Sequence, residues 1–257
     1  MQQELCKNCH QVHQGNFCSH CGQKTKTVRL DSSYIKDEVK YTILHVNKGF
    51  FFTVKELFTR PGETIKEFIE GKRINHYKPL LLVFVLAGIN GFLSLQLDFS
   101  SMIQQYGGQT QQNAKFMQEY SKVMHWFFAH YAFMEILALP IVSLVSWLSF
   151  KKWGYNYIEN IIINCFASGQ RLVFGIFSIL LYIVLPKNAV MQMGGFMALI
   201  TFGLTIWTYA SLYKNHDSKA ILLRILLFIF LLLLVGFLLI VIFSLIFVIY
   251  LHKSGKI

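Results

Sequence analysis

The chain has 257 residues, of which 54% are hydrophobic and only 14% are charged, and it carries a net charge of +11. Its mean hydropathy is +0.45. This composition excludes an ordinary soluble globular domain and is typical of a protein that lies largely within a membrane.

Two cysteine hooks stand near the N-terminus, in the run CKNCHQVHQGNFCSHCG of residues 6–22. Two residues separate the cysteines of each hook, and eight residues separate the hooks. Two such hooks can bring four thiolates to the corners of a tetrahedron around one Zn²⁺. We predict a zinc ribbon over residues 1–26, made stable by the metal because so short a segment cannot bury an adequate apolar core. Its predicted ligands are Cys6, Cys9, Cys18 and Cys21.

The rival interpretation of the four cysteines is a pair of disulfides. Thirteen of the 24 Lys and Arg residues precede the first long apolar run. The positive-inside rule therefore places the N-terminal segment in the cytoplasm, where thiols stay reduced, and this favours zinc. Four cysteines complete the coordination of the ion, so the site is predicted to be structural and not catalytic.

Short amphipathic helices are predicted between the ribbon and the membrane, over residues 27–78. Apolar residues share one face in residues 31–46, and further apolar stripes follow on either side of Pro61. The basic polar faces indicate helices that lie on an anionic lipid surface, although packing against the ends of the spans would give the same pattern. Lys72, Arg73 and Lys78 are predicted to lie at the membrane surface and to anchor the topology.

This N-terminal third also carries a resemblance to a known family. The residues concerned are the run FCSHCGQ of residues 17–23, then Gly49-Phe50, Thr53, Glu56-Leu57, Arg60-Pro61-Gly62, Ile65, Ile69, Gly71-Lys72-Arg73, Tyr77 and Pro79. In this pattern the chain resembles an uncharacterised bacterial family that joins a zinc ribbon to an RPG and GKR segment and then to several transmembrane helices. The resemblance implies this architecture and a bacterial inner membrane, and it implies no catalytic residue.

Five apolar runs follow, each about long enough to cross a hydrocarbon core as a helix. They cover residues 80–97, 126–150, 157–185, 194–213 and 220–251. The runs lack the period-2 alternation of barrel strands, so we predict an all-α fold. Residues 79–257 would form a polytopic membrane helical bundle of about five spans, with the N-terminus in the cytoplasm.

Polar residues inside these spans need partners or a role, because ionisable groups are costly in lipid. Glu135 and Arg171 lie near the middle of the second and third predicted spans and could pair between antiparallel neighbours. Asn160, Asn164, Ser168 and Arg171 recur at helical spacing and form one polar stripe, which should face the bundle interior. The stripe is either an interhelical lock or the wall of a solute path, and the frequency of hydrogen bonds between spans favours the lock.

Catalytic signatures such as HExxH, GxxxxGK[ST] and GxSxG are absent from the sequence, so no enzymatic activity is predicted. Nucleic acid is not favoured as a partner, because topology explains much of the positive charge. The predicted function is a non-enzymatic membrane adaptor or regulator whose ribbon binds a protein partner. The alternative is a transporter or channel-like protein with a polar path at Glu135 and Arg171.

Overall fold

The computed structural model describes residues 4–25, 49–97, 111–185 and 187–253. Two short strands, β1 (Glu4–Leu5) and β2 (Val12–His13), pair antiparallel near the N-terminus. Nearly all other regular structure in these ranges is helical, which confirms the predicted helical class with a small cysteine-bearing N-terminal unit. The helix predicted over residues 31–46 lies outside the described residues.

Helices make up most of the described chain. They are α1 (Phe50–Leu57), α2 (Pro61–Glu70), α3 (Pro79–Ser94), α4 (Gln111–Ala129), α5 (Tyr131–Phe150), α6 (Tyr157–Val184), α7 (Lys187–Leu212) and α8 (Ser218–Lys253). Proline at the first position of α2 and of α3 begins each helix without the loss of a backbone hydrogen bond.

Four stretches are long and apolar enough to cross a membrane: Tyr131–Trp153, Tyr157–Val184, Met193–Leu212 and Ser218–Leu245. In place of the first predicted span the structure has the shorter apolar helix α3, of 16 residues. At 1.5 Å per residue α3 is about 24 Å long, somewhat less than a typical hydrocarbon core. The predicted multi-pass membrane bundle is thus confirmed, with four full-length candidate spans and one short apolar helix in the described ranges.

The second span starts later in the structure than the hydropathy of the sequence indicated. Helix α4 ends at Ala129 and α5 begins at Tyr131, with His130 between them outside helical geometry. The ring of His130 stacks on Trp126, and its Nδ1 lies 2.8 Å from the Trp126 carbonyl oxygen. Because the apolar pattern continues across this break, periodicity alone could not locate it.

Helix α6 lies at the centre of the described bundle. Every residue from 162 to 170 is buried, because α3, α5 and α7 pack around this helix and α1 and α2 cover its N-terminal half. The side chain of Asn156 accepts from the Glu159 backbone N–H, while the Glu159 carboxylate accepts from the Asn156 N–H, both at 2.8 Å. This capping box fixes where α6 begins.

Helix α2 packs against α6 and the end of α7, which is the arrangement that the packing alternative predicted. Its apolar face is buried, and the Phe68 ring centroid lies 5.1 Å from that of Phe166 on α6. At its first turn, a Cβ added to Gly62 would lie 2.2 Å from the Leu212 backbone nitrogen at the end of α7. Only glycine allows this approach of the two backbones.

Candidate metal centre and buried polar contacts

The four hook cysteines converge on one point in the structure. Their Sγ atoms all lie within 4.8 Å of one another. Two of the pairs, Cys6 with Cys21 and Cys9 with Cys18, are each 3.6 Å apart. A tetrahedral ion with Zn–S bonds of about 2.3 Å requires sulfur separations of about 3.8 Å. The cluster can therefore hold a metal ion of this size.

Both hooks are built by the same backbone turn. The N–H of His10 donates to the Cys6 carbonyl at 2.9 Å, and the N–H of Gly22 donates to the Cys18 carbonyl at 2.8 Å. His10 and Gly22 occupy equivalent positions, and both have positive φ, at 59° and 74°. The repeated turn gives the two pairs of thiols matching geometry.

The second hook favours an ionised thiol, which is the form that binds metals. The backbone N–H of Cys21 lowers the pKa of Cys18 to about 6, and the backbone N–H of His20 acts in the same direction. Within the described ranges the cluster comprises the four cysteines alone. Their number suffices for a closed tetrahedral site.

Cys9 of the first hook is less easily ionised than Cys18. The Gln11 backbone N–H lowers the pKa of Cys9, but burial and the neighbouring thiols outweigh it and raise this pKa to about 12. A metal ion must therefore displace the proton of Cys9 when it binds, so metal affinity should fall as the pH is lowered.

A buried glutamine attaches the ribbon to the juxtamembrane segment. Gln23 is 4% exposed, and its Nε2 donates to the Gly71 carbonyl at 2.8 Å. Its Oε1 accepts from the backbone N–H groups of Arg73 at 3.0 Å and Ile74 at 3.2 Å. Gly71 ends α2 with φ at 114°, which turns the chain so that these backbone groups can meet the ribbon. We call this set of three hydrogen bonds the Gln23 clasp.

Sequence reasoning missed the Gln23 clasp, although its two halves belong to the motifs CGQ and GKR. The available signal was a polar residue directly after the last cysteine hook, and such a residue is usually solvated. Its partners are backbone atoms, which leave no pattern among the side chains. These backbone atoms meet Gln23 only because the chain turns at Gly71, after the end of α2.

Replacing Gln23 with leucine is expected to detach the ribbon while leaving the cysteine cluster intact. The change removes three hydrogen bonds and takes the donor from the buried Gly71 carbonyl, at a cost of about 1–3 kcal/mol for that group. Hydrogen exchange should accelerate at the amides of Arg73 and Ile74. The control is Gln11→Leu, because Gln11 is exposed. Equal exchange in both variants would contradict the clasp.

Two of the predicted surface basic residues contact α2. Lys72 Nζ lies 3.2 Å from Glu67 Oε1. Burial opposes the ionisation of Glu67, yet Lys72 and Arg60 outweigh it and lower the pKa of this carboxyl. The Nε of Arg73 donates to the Phe68 carbonyl at 3.1 Å. Lys78, the third of these basic residues, is half-buried at the start of α3, and a role of all three at the lipid surface stays a prediction.

The structure brings Glu135 and Arg171 together from neighbouring helices. Arg171 Nη2 lies 3.6 Å from Glu135 Oε1, joining α6 to α5. The same Nη2 donates to Ser168 Oγ, one turn away on α6, at 2.7 Å. The guanidinium is thus neutralised inside the bundle, as an intramembrane charge requires.

The two asparagines of the polar stripe bond to other helices. Ser146 on α5 donates to Asn160 Oδ1 at 2.8 Å and accepts from Asn164 Nδ2 at 2.9 Å. Tyr209 on α7 donates to Asn164 Oδ1 at 2.9 Å. All four residues are buried. Three helices are therefore joined by one set of side-chain hydrogen bonds.

A second buried contact, centred on Gln170, was not anticipated from the sequence. Gln170 Nε2 donates to the Leu57 carbonyl at the end of α1, at 2.7 Å. Its Oε1 accepts from Thr208 Oγ1 on α7, also at 2.7 Å. Gln170 lies off the polar stripe, so periodicity gave no reason to select it. The usable signal was that a helix buried on every side must satisfy polar groups on every face.

Replacing Asn164 with leucine should destabilise the bundle. The two side chains are similar in size, but leucine removes the acceptor of the Tyr209 hydroxyl, while Ser146 keeps its bond to Asn160. A buried group that loses its partner costs about 1–3 kcal/mol. Thermal unfolding in detergent should show a clearly lower Tm. Ser178→Ala on the same helix is the control, because the Ser178 hydroxyl donates within α6, to the Phe174 carbonyl. Equal Tm values for the two variants would refute the lock.

Fold and cluster together define a multi-pass membrane protein with an N-terminal cysteine cluster able to hold a metal ion. Residues 47–90 match the profile of a family described as "Protein of unknown function (DUF3667)". The match contains the RPG and GKR motifs and most of α3, and it confirms the resemblance to a family of unknown function. No curated protein and no solved structure matches the chain.

Proposed function

We propose that the protein is a non-enzymatic membrane adaptor or regulator whose ribbon holds a structural Zn²⁺ and binds a protein partner. The observation that carries the proposal is the attachment of the ribbon together with its exposed surface. The Gln23 clasp holds the ribbon on the juxtamembrane segment. Leu5, Val12 and Phe17 of the ribbon are 61%, 59% and 61% exposed.

These exposed residues support a binding surface on the ribbon. Leu5 and Val12 are directly opposite each other in the paired strands, so they form one contiguous apolar area. Phe17 lies on the bridge to Lys24, beside the second hook. Large apolar side chains that stay exposed add little to the stability of so small a domain, and apolar areas of this kind commonly serve as interaction sites.

Zinc is proposed as the ion, in a ribbon on the cytoplasmic side of a bacterial inner membrane. Four thiolates at tetrahedral spacing suit Zn²⁺, and a reducing compartment keeps them available. Lys214, in the loop after α7, forms an ion pair with Glu63 on α2 and lowers the pKa of that carboxyl. The basic N-terminal segment thus shares one end of the bundle with a basic loop, which supports a common cytoplasmic side.

The alternative function, a solute path at Glu135 and Arg171, has less support. A conducting path needs polar groups that can exchange partners with the solute. Asn160 and Asn164 instead use their side chains to join helices, and Arg171 is neutralised by Glu135. We therefore interpret the stripe as a packing lock.

A crosslinked pull-down from membranes tests the adaptor proposal. The test variant replaces Leu5, Val12 and Phe17 with serine, and the control replaces the exposed residues Gln11 and Gln14 with serine. Both variants should insert equally and retain equal zinc, since neither alters a cysteine. Partners captured by the wild type should be lost from the test variant alone. An identical partner set in all three proteins would refute the ribbon as a docking domain.

A further inference from the structure

A cavity of about 360 Å³ lies among α5, α6, α7 and α8, within the membrane-spanning part of the bundle. Its volume falls in the range of small-molecule sites, about 300–1,000 Å³. Most of its wall is apolar, with Ile225 and Leu232 of α8 on one side. Phe202 of α7 also lines it and is 45% exposed, so the cavity reaches the outer surface of the described bundle.

The hydrogen-bonding groups of the wall define what the cavity can bind. Thr201 and Thr205 donate their hydroxyl protons within α7, to the carbonyls of Met197 at 2.9 Å and of Thr201 at 3.2 Å. The Tyr209 hydroxyl donates to Asn164 Oδ1 on the polar stripe of α6. Arg171 is the one charged residue among the described lining residues, and a guanidinium carries five N–H donors and no acceptor. A polar occupant would therefore offer acceptor oxygens to Arg171.

The charge of the site favours an uncharged occupant. Arg171 is already neutralised by Glu135 at 3.6 Å. An anion beside this pair would leave an excess negative charge in a low-dielectric medium, which is costly. A carbonyl oxygen can accept from Arg171 without that cost.

The depth of Arg171 in the membrane limits which uncharged lipophilic molecules can bring a carbonyl group to it. Arg171 follows Tyr157, the first residue of α6, by 14 positions, about 21 Å along the helix axis. The ester carbonyls of phospholipids stay near the headgroup layer, so they would not reach this position. The occupant needs a head group that can enter the hydrocarbon core.

We propose that this cavity binds a neutral lipophilic molecule with a carbonyl-bearing head, the chemistry of an isoprenoid quinone. Its carbonyl accepts from Arg171, and its chain lies against Ile225 and Leu232 between α7 and α8. The inference is independent of the adaptor function, because no residue of the ribbon takes part.

Photo-crosslinking of the full chain in nanodiscs tests the site. The probe is a ubiquinone analogue with a diazirine in its tail, and decylubiquinone is the competitor. A second arm uses phosphatidylcholine with a diazirine in its acyl chain. The test variant is Ala198→Trp, which fills the cavity from its α7 wall. The control is Leu199→Trp, because Leu199 is 70% exposed and does not line the cavity.

Quinone labelling is expected on the lining segments of α7 and α8, competed by decylubiquinone and about tenfold weaker in Ala198→Trp than in Leu199→Trp. A double variant, Arg171→Gln with Glu135→Gln, keeps the site neutral and should weaken decylubiquinone binding by about tenfold. Uncompeted labelling spread over exposed α8 residues such as Leu233 would overturn the proposal. Labelling of the lining by phosphatidylcholine alone would also overturn it, in favour of a bilayer lipid.

Discussion

Replacing Cys6, Cys9, Cys18 and Cys21 together with serine is expected to abolish metal binding and to unfold the ribbon. The described ribbon buries few apolar side chains, so we expect the proposed ion to supply most of its folding free energy. Apparent binding free energies of structural zinc in small domains reach about 10–16 kcal/mol at neutral pH, far more than so small a core supplies. The effect on the ribbon should therefore be complete.

Metal analysis of the purified protein measures the first part of this prediction, with about one Zn²⁺ per wild-type chain expected from the single described cluster. Loss of the ribbon fold should also open the Gln23 clasp, so the amides of Arg73 and Ile74 should exchange faster. Cys165→Ser is the matched control, because it makes the same chemical change at a buried cysteine of α6. Metal retained in the four-serine protein, or a wild type without metal, would show that the cluster is not a metal site.

The membrane-embedded helices and the cysteine cluster could be predicted because each leaves a local pattern in the sequence. Long apolar runs indicate helices that lie in a membrane. Paired cysteines at fixed spacing indicate a tetrahedral metal site. The stripe of Asn160, Asn164 and Arg171 was found for the same reason, since helical periodicity places these residues on one face.

The pairing of Arg171 with Glu135 was anticipated from the sequence. The partners of Asn160 and Asn164 could not be predicted, because they depend on which helices pack together. Ser146 and Tyr209 are ordinary residues of other spans until the bundle brings them to Asn164. Gln23 is similar, since its partners are backbone atoms at the end of α2. The break at His130 leaves no mark in hydropathy either. The local pattern shows that a polar group needs a partner, and only the packed bundle shows which partner it has.

The glycine of the RPG motif is the clearest case of a sequence feature explained by a contact between distant parts of the chain. Gly62 lies at the second position of α2, where its N–H donates to the Ser211 hydroxyl at 3.2 Å. A Cβ at this position would lie 2.2 Å from both the Ser211 carbonyl carbon and the Leu212 nitrogen. These are backbone atoms of α7, so no side-chain rotation can relieve the clash.

Replacing Gly62 with alanine should therefore separate α2 from α7 and destabilise the end of the bundle that carries the ribbon. Overpacking usually lowers the free energy of unfolding by about 1–3 kcal/mol. Because the clash at Gly62 is with backbone atoms, we expect a loss at or above the upper end of this range. The Glu63–Lys214 ion pair should be lost with the displacement. Because α2 carries the Gly71 carbonyl to which Gln23 donates, the ribbon should also become more accessible to protease.

Gly203→Ala is the matched control for Gly62→Ala. Gly203 lies within α7, and a Cβ there would meet nothing within 4 Å. Alanine is the better helix former by about 1 kcal/mol at an interior position, so the control should be neutral or slightly stabilised. Thermal unfolding in detergent compares the two: a Tm lower only in Gly62→Ala fits the close approach of α2 and α7. A Gly62→Ala protein as stable as the control would show that the two helices do not meet there.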